Sequence, residues 1–235
     1  MTHLKDLHQT QVSVEKLRIA LSNRVSALDR GVDDAERPVP EVYSRLTEMM
    51  DGMEHLIDAE IAQELKRWPV YEQWLKHVKG VGPSLAGQML ALLLPALPDR
   101  GPSTWYKAAG LVPSDVDGIQ RLPRPRTGEG KITYHPWLRR CLWNLATSFV
   151  RNGGYYREAY DGYKGELTNR HTGDESWPPH RLDSVARWKT VKFFLSHLWE
   201  KMLESHGQDG RRAYVVDKLG HHYVAPPEPI AGQRL

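Results

Sequence analysis

The sequence predicts a mainly α-helical protein: an N-terminal antiparallel helical hairpin or coiled coil, followed by a helical domain with a helix-hairpin-helix motif. Three observations predict it. Apolar residues recur three or four apart through most segments, and prolines and glycines punctuate the chain between them. Two glycines in Lys79-Gly80-Val81-Gly82-Pro83-Ser84 join two short apolar helical stretches.

The first helix is predicted from Val12 to Asp29, because Val14, Leu17, Leu21, Val25 and Leu28 share one helical face. Gly31, Pro38 and Pro40 then break the chain. A longer helix follows over Val42, Leu46, Met49, Met53, Leu56, Ile57, Ile61 and Leu65, whose spacing approaches a heptad seam. That stripe is long for two helices to cover alone. It predicts either a homodimer through the N-terminal helices or packing on the rest of the chain. Tyr71 to Val78 reads as a short apolar helix and Ser84 to Leu94 as the next. Ser103 or Thr104 caps a short helix to Ala109. Gly110 to Thr133 is rich in proline and glycine and reads as an irregular loop, either functional or disordered. Helices return over Pro136 to Val150, Tyr155 to Tyr163 and Arg181 to Ser205. The last carries Val185, Trp188, Val191, Phe194, Leu195, Leu198 and Met202 as its core stripe. Ala213 to Val216 is a short β-like run in a proline-rich tail. The expected domains are 1–69, a helical hairpin; 70–206, the helix-hairpin-helix domain; and 207–235, an extended tail.

Charge is unevenly distributed. Met1 to Val78 carries 10 basic residues against 14 acidic, whereas Lys79 to Leu235 carries 22 against 15. A phosphate-bearing partner would therefore meet the second part. Cys141 is the single cysteine. It allows no internal disulfide, lies in an apolar helical stripe, and predicts an intracellular, cytoplasmic protein. No apolar run reaches the length of a membrane span, and no signal sequence opens the chain.

Two constellations carry chemistry. In the Lys79 to Ser84 turn, Gly80 and Gly82 allow close approach of a ligand to the backbone. Pro83 suits a first helical turn, and the free N–H groups behind it attract an anion. Lys79 adds charge and Ser84 a hydroxyl. The alternative is an ordinary tight turn. The second constellation is Arg121, Arg124, Arg126, Lys131, Arg139, Arg140 and Arg151, with Glu129 the only acid between Gln120 and Arg151. Such a field attracts a polyanion. Tyr134, His135 and Trp137 lie between the clusters, where aromatic rings suit stacking on unpaired bases; the alternative for Trp137, and the one expected, is the core. The histidines, including His180 and His221-His222, and the pair Asp115 and Asp117 frame no metal site. No P-loop or dinucleotide-binding glycine pattern is present, so no cofactor is expected.

Val78 to Ala86, Trp105-Tyr106-Lys107-Ala108-Ala109-Gly110-Leu111-Val112-Pro113, Lys131, and Trp137-Leu138-Arg139-Arg140-Cys141-Leu142-Trp143 resemble the C-terminal domain of bridge-RNA-guided DEDD-class insertion-sequence transposases. Arg187 to Glu200 is similar to that domain's last helix, and the helical hairpin is similar to the family's coiled coil. The resemblance implies a mobile-element protein that binds DNA, or structured RNA, and takes part in DNA recombination. Two departures bear on catalysis. The family's acidic nuclease half is not among these residues. Asp117 before Gly118 occupies the place of the family's nucleophilic serine, and Ser114 lies nearby but offset. The expected function is thus a transposase-like DNA-binding module rather than an enzyme. The alternatives are an active transposase using Ser114 with a partner nuclease domain, and a protein-interaction scaffold.

Overall fold

The computed structural model describes residues 2–30, 41–93, 101–116, 119–123, 132–208 and 223–229. The chain is mainly α-helical and divides into two compact units, Met1–Arg67 and Trp68–Leu235. Among the described residues, no helix is long and apolar enough to cross a membrane.

The first unit is a hairpin of α1 (Thr2–Asp29) and α2 (Glu41–Leu65). Gln11 Nε2 donates to Asp58 Oδ1 at 2.8 Å, and Arg18 Nε to Glu54 Oε1 at 2.7 Å. Partner numbers fall on α2 as they rise on α1, so the helices run antiparallel. α1 starts ten residues before the predicted Val12. Leu4 and His8 are buried and extend the stripe backwards, and the polar Gln11 had hidden the period. The predicted α2 stripe splits. Ile61 and Leu65 are buried, whereas Val42, Met49, Met53 and Leu56 are exposed, as is Leu17 on α1.

The second unit opens with α3 (Pro69–Gln73) and a 3-10 turn at Leu75–His77, where one continuous helix was expected. Then come α4 (Pro83–Leu93) and α5 (Ser103–Ala108), whose N-cap is Pro102 rather than Ser103 or Thr104. The stretch predicted to be irregular holds a small antiparallel hairpin of β1 (Ser114–Val116) and β2 (Ile119–Arg121), with Ser114 opposite Arg121. α6 (Pro136–Asn152), α7 (Tyr155–Arg170) and α8 (Pro179–Ser205) complete the helices. α7 runs past the predicted Tyr163 because Leu167 joins Tyr160, Leu182 and Ala186 in one buried cluster.

α8 is the centre of this unit. Phe194 meets Trp74 of the segment after α3, Phe149 of α6 and Tyr156 of α7, with ring centroids 5.8, 5.3 and 5.1 Å away. Cys141 is buried on α6, and burial alone pushes its thiol up to about 12. This leaves it a packing residue, as its apolar neighbours predict.

Residues 223–229 are extended, as expected for the tail, but they are packed against the domain. Trp74 Nε1 donates to the Pro227 carbonyl at 2.9 Å, and Tyr223 Oη to Glu200 Oε1 at 2.7 Å. Lys201 Nζ bonds Glu228 Oε1 at 2.5 Å. His197 Nε2 lies 3.1 Å from the Val224 carbonyl, which can only accept, so Nε2 carries the proton. Nδ1 then accepts from Tyr156 Oη at 2.9 Å. The predicted β-like run at Ala213 to Val216 lies outside the described residues. Burial lowers the His197 imidazole to about 4, overcoming the hydrogen bond to Val224. The unfolded imidazole titrates near 6.5, so below that pH the unfolded chain takes up the proton first. Stability contributed by neutral His197 is present above pH 6.5 and is lost as pH falls towards 4. Urea denaturation is expected to show a His197-dependent loss of about 2 kcal/mol between pH 7 and pH 5. The loss should shrink in His197→Gln, and an unchanged pH slope in that variant would refute the assignment.

Candidate nucleic-acid interface

The glycine turn is built by its flanks. Trp74, Leu75 and Val78 are buried before it, and Val81 and Ala86 after it. The Val81 N–H donates to the Val78 carbonyl at 3.1 Å, which closes the turn, and the Ala86 N–H to Gly82 at 2.9 Å, which starts α4. Gly80 has φ +88°, a conformation that costs an L side chain about 1–2 kcal/mol. A Cβ there would also lie 3.2 Å from the Ser148 carbonyl oxygen and Oγ. Ser148 Oγ donates to the Gly80 carbonyl at 2.6 Å. Packing on α6 thus by itself requires a glycine at position 80. Gly82 is different, because a Cβ there would meet nothing within 4 Å. Lys79, Gly82 and Pro83 are exposed and Ser84 is half-buried. The outward face of the turn is therefore Lys79 and Gly82 at the start of an 11-residue helix.

The basic constellation separates in space. At the start of α6, His135 Nδ1 accepts from the Leu138 N–H at 3.3 Å and Pro136 takes the first turn. Arg139 Nη1 donates to the carbonyls of Gly110 at 3.3 Å and Pro123 at 2.5 Å. Its guanidinium lies over the Tyr134 and Trp188 rings, at 5.0 and 5.5 Å. Arg139 therefore braces the loop before α6 as well as contributing charge. Arg140 is exposed and overlies Trp137 at 5.7 Å; Trp137 is half-buried, not the core residue expected. Arg121 lies on β2, and its side chain is not among those described. Arg124, Arg126, Lys131, Asp117 and His221-His222 lie outside the described residues. Ser114 is exposed at the first position of β1 and makes no hydrogen bond to a described side chain.

One concave feature of the second unit was not foreseen. A cleft of about 760 Å³ is lined by Pro113, Leu122, Arg139, Trp177, His180, Arg181, Ser184, Val185, Trp188, Lys189 and Lys192. Most of these come from α8, where Arg181, Ser184, Val185, Trp188 and Lys192 recur at helical spacing. Among the described residues, no carboxylate lines the cleft. Arg181 overlies Trp177 at 4.3 Å, Lys189 the Tyr163 ring at 5.3 Å, and Lys192 the Tyr106 ring at 5.9 Å. A ring attracts a cation without cancelling its charge. Burial, with help from Lys189, lowers the Lys192 ammonium below the usual lysine range. The acids of α8 are engaged elsewhere: Asp183 pairs with Arg187 at 2.7 Å and also accepts from Tyr160. The signal for this cleft was present in the Arg181 to Lys192 spacing. The reading of Val185 and Trp188 as core concealed it.

No protein-family model matches the sequence, and no curated protein matches it. Among the described residues, no group of three or more histidine, cysteine, aspartate or glutamate side chains is placed to hold a metal ion.

The two glycines are expected to respond differently. Gly80→Ala should destabilise the fold by about 1–2 kcal/mol in urea denaturation, from backbone strain alone, with more if Ser148 cannot shift. Gly82→Ala should leave the midpoint nearly unchanged. Equal losses at the two positions would contradict these separate roles.

Proposed function

We propose that this chain is a transposase-like nucleic-acid-binding protein that holds a phosphate backbone through the basic side of its second unit. The observation that carries this reading is the α8 cleft, whose described lining holds four cations and a histidine and no carboxylate. A pocket of one sign concentrates its field on an incoming anion. Cations held on aromatic rings stay extended and charged, ready for a phosphate. The exposed Lys79 and Gly82 at the start of α4 offer a second phosphate contact at the positive end of that helix. The resemblance of Val78 to Trp143 to the transposase domain supports DNA, or structured RNA, as the polyanion. Binding rather than strand cleavage is proposed. The side chains of Asp115 and Asp117, the acids nearest Ser114 in the sequence, lie outside those described, and a carboxylate is a weak base for a serine hydroxyl.

The test is fluorescence anisotropy with labelled DNA across a salt series. Affinity is expected to fall linearly on a log–log plot, and Lys189→Gln and Lys192→Gln should each reduce the slope by about 1. Salt-independent binding, or none at low salt, would defeat the proposal.

The hairpin fits a role in pairing two copies. Val42, Met49, Met53 and Leu56 are exposed on one face of α2 at alternating intervals of seven, four and three. Gly52 lies among them with open space where its Cβ would be. In an antiparallel pair centred near Gly52, Met49 would face Leu56 of the other copy, and Arg45 would face its Glu60 (both charges are on exposed positions). Light scattering at micromolar concentration is expected to give twice the chain mass, and Met49→Glu with Leu56→Glu should give the monomer. A monomeric parent chain would rule out this pairing.

A further inference from the structure

The α8 cleft has a composition that backbone binding alone does not use. Its cations and hydroxyl, Arg181, Lys189, Lys192 and Ser184, accompany an apolar wall of Pro113, Leu122, Val185 and the indoles of Trp177 and Trp188. Duplex DNA turns its phosphates outward and keeps its bases stacked inside, so a duplex would meet the cations and leave that wall uncovered. A flat, weakly polar ring joined to a phosphate would cover both. We propose that this cleft receives an unpaired nucleotide of a DNA or RNA strand, its base on the Trp188 wall and its phosphate on Lys189 and Lys192. This rests on the nucleic-acid reading above and assigns the kind of strand that reading leaves open.

The physical case has three parts. The first is size. Clefts of roughly 300–1,000 Å³ suit ligands of drug or nucleotide dimensions, and this one is about 760 Å³. The second is rigidity. Trp188 is held by Trp143 at 5.2 Å and by Arg139 at 5.5 Å, and Trp177 by His171, stacked on it at 3.8 Å, and by Arg181. Indoles fixed before binding lose little side-chain entropy when a base arrives. The third is uncompensated charge. Lys192 is half-buried and lines the cleft with Lys189, Arg181 and His180 of the same helix, with no acid among the described lining residues. A phosphate there relieves both the burial of the ammonium and its repulsion from Lys189. Base stacking on aromatic side chains is sequence-tolerant, so the cleft discriminates unpaired from paired strands rather than one sequence from another.

The test uses the full chain with labelled strands of about 15 nucleotides: single-stranded DNA, single-stranded RNA, and the corresponding duplex. A free mononucleotide serves as competitor, and a single strand carrying one 5-iodouracil is irradiated for zero-length cross-linking. The expected result is binding of a single strand at least about fivefold tighter than of duplex, the gain of one stacked base. The cross-link should map by mass spectrometry to the peptide spanning Trp177 to Lys192. Trp188→Ala should narrow the single-strand preference, with Trp188→Leu, which keeps an apolar side chain beside Trp143, serving should Trp188→Ala fail to fold, whereas Lys192→Gln should weaken strand and duplex alike. Equal affinity for single strand and duplex, with cross-links elsewhere, would overturn this assignment and leave the backbone-binding reading standing. A mononucleotide that competes as well as the strand would overturn the strand and make the cleft a small-molecule site. No binding to any of the nucleic acids would remove both readings.

Discussion

Phe194 sits where three segments of the second unit converge, and the arrangement of that unit depends on it. Trp74, Phe149 and Tyr156 close around its ring from the segment before the glycine turn, from α6 and from α7. Burying an aromatic side chain of this size contributes roughly 1.5–3 kcal/mol, and favourable ring geometry adds to that. Because the same helix carries Phe194 in its middle and the cleft residues in its first half, the packing that holds α8 also fixes Arg181, Trp188 and Lys192. The tail reinforces the same place: Trp74 bonds the Pro227 carbonyl and His197 bonds that of Val224, so residues 223–229 are tied to α8 and to the cluster around it.

The polar side chains of the second unit follow two regimes. Some cations meet acids: Arg187 with Asp183, Arg157 with Asp161, and Lys201 with Glu204 and Glu228, the two arginines overlying rings as well. Around the cleft they meet rings instead: Arg181 with Trp177, Lys189 with Tyr163, and Lys192 with Tyr106. The first arrangement neutralises charge, and the second preserves it. This separation, more than the total charge of +3, gives the unit a face suited to an anion.

The glycine turn and Arg139 illustrate how a residue's place in the fold redefines its chemistry. Gly80 belongs to the packing of the turn on α6 through Ser148, which leaves Gly82 and Lys79 as its outward positions. Arg139 holds the carbonyls of Gly110 and Pro123, so part of its donor capacity shapes the loop that borders the cleft. Gly110 tightens that loop: at φ +66°, a Cβ there would stand 2.7 Å from Tyr134 Cγ. Gly110, Pro123 and the glycine turn are thus each held by α6.

Local periodicity and punctuation by themselves determined the helical class, the antiparallel hairpin, most helix positions, and the burial of Cys141, Phe149, Phe194 and Leu198. These follow from the repeat of the helix and from the few residues that break it, both of which act within about one or two turns. Tertiary structure alone decided where an apolar stripe leaves the core. Val185 and Trp188 continue the spacing of Val191 and Phe194, yet they are only half-buried and line the cleft. It also decided that Ser148 lies against Gly80, that the tail lies along α8, and that Val42, Met49 and Leu56 remain uncovered. The reason is physical. A sequence pattern specifies which face of an element is apolar, but which atoms meet that face depends on contacts between residues far apart in the chain.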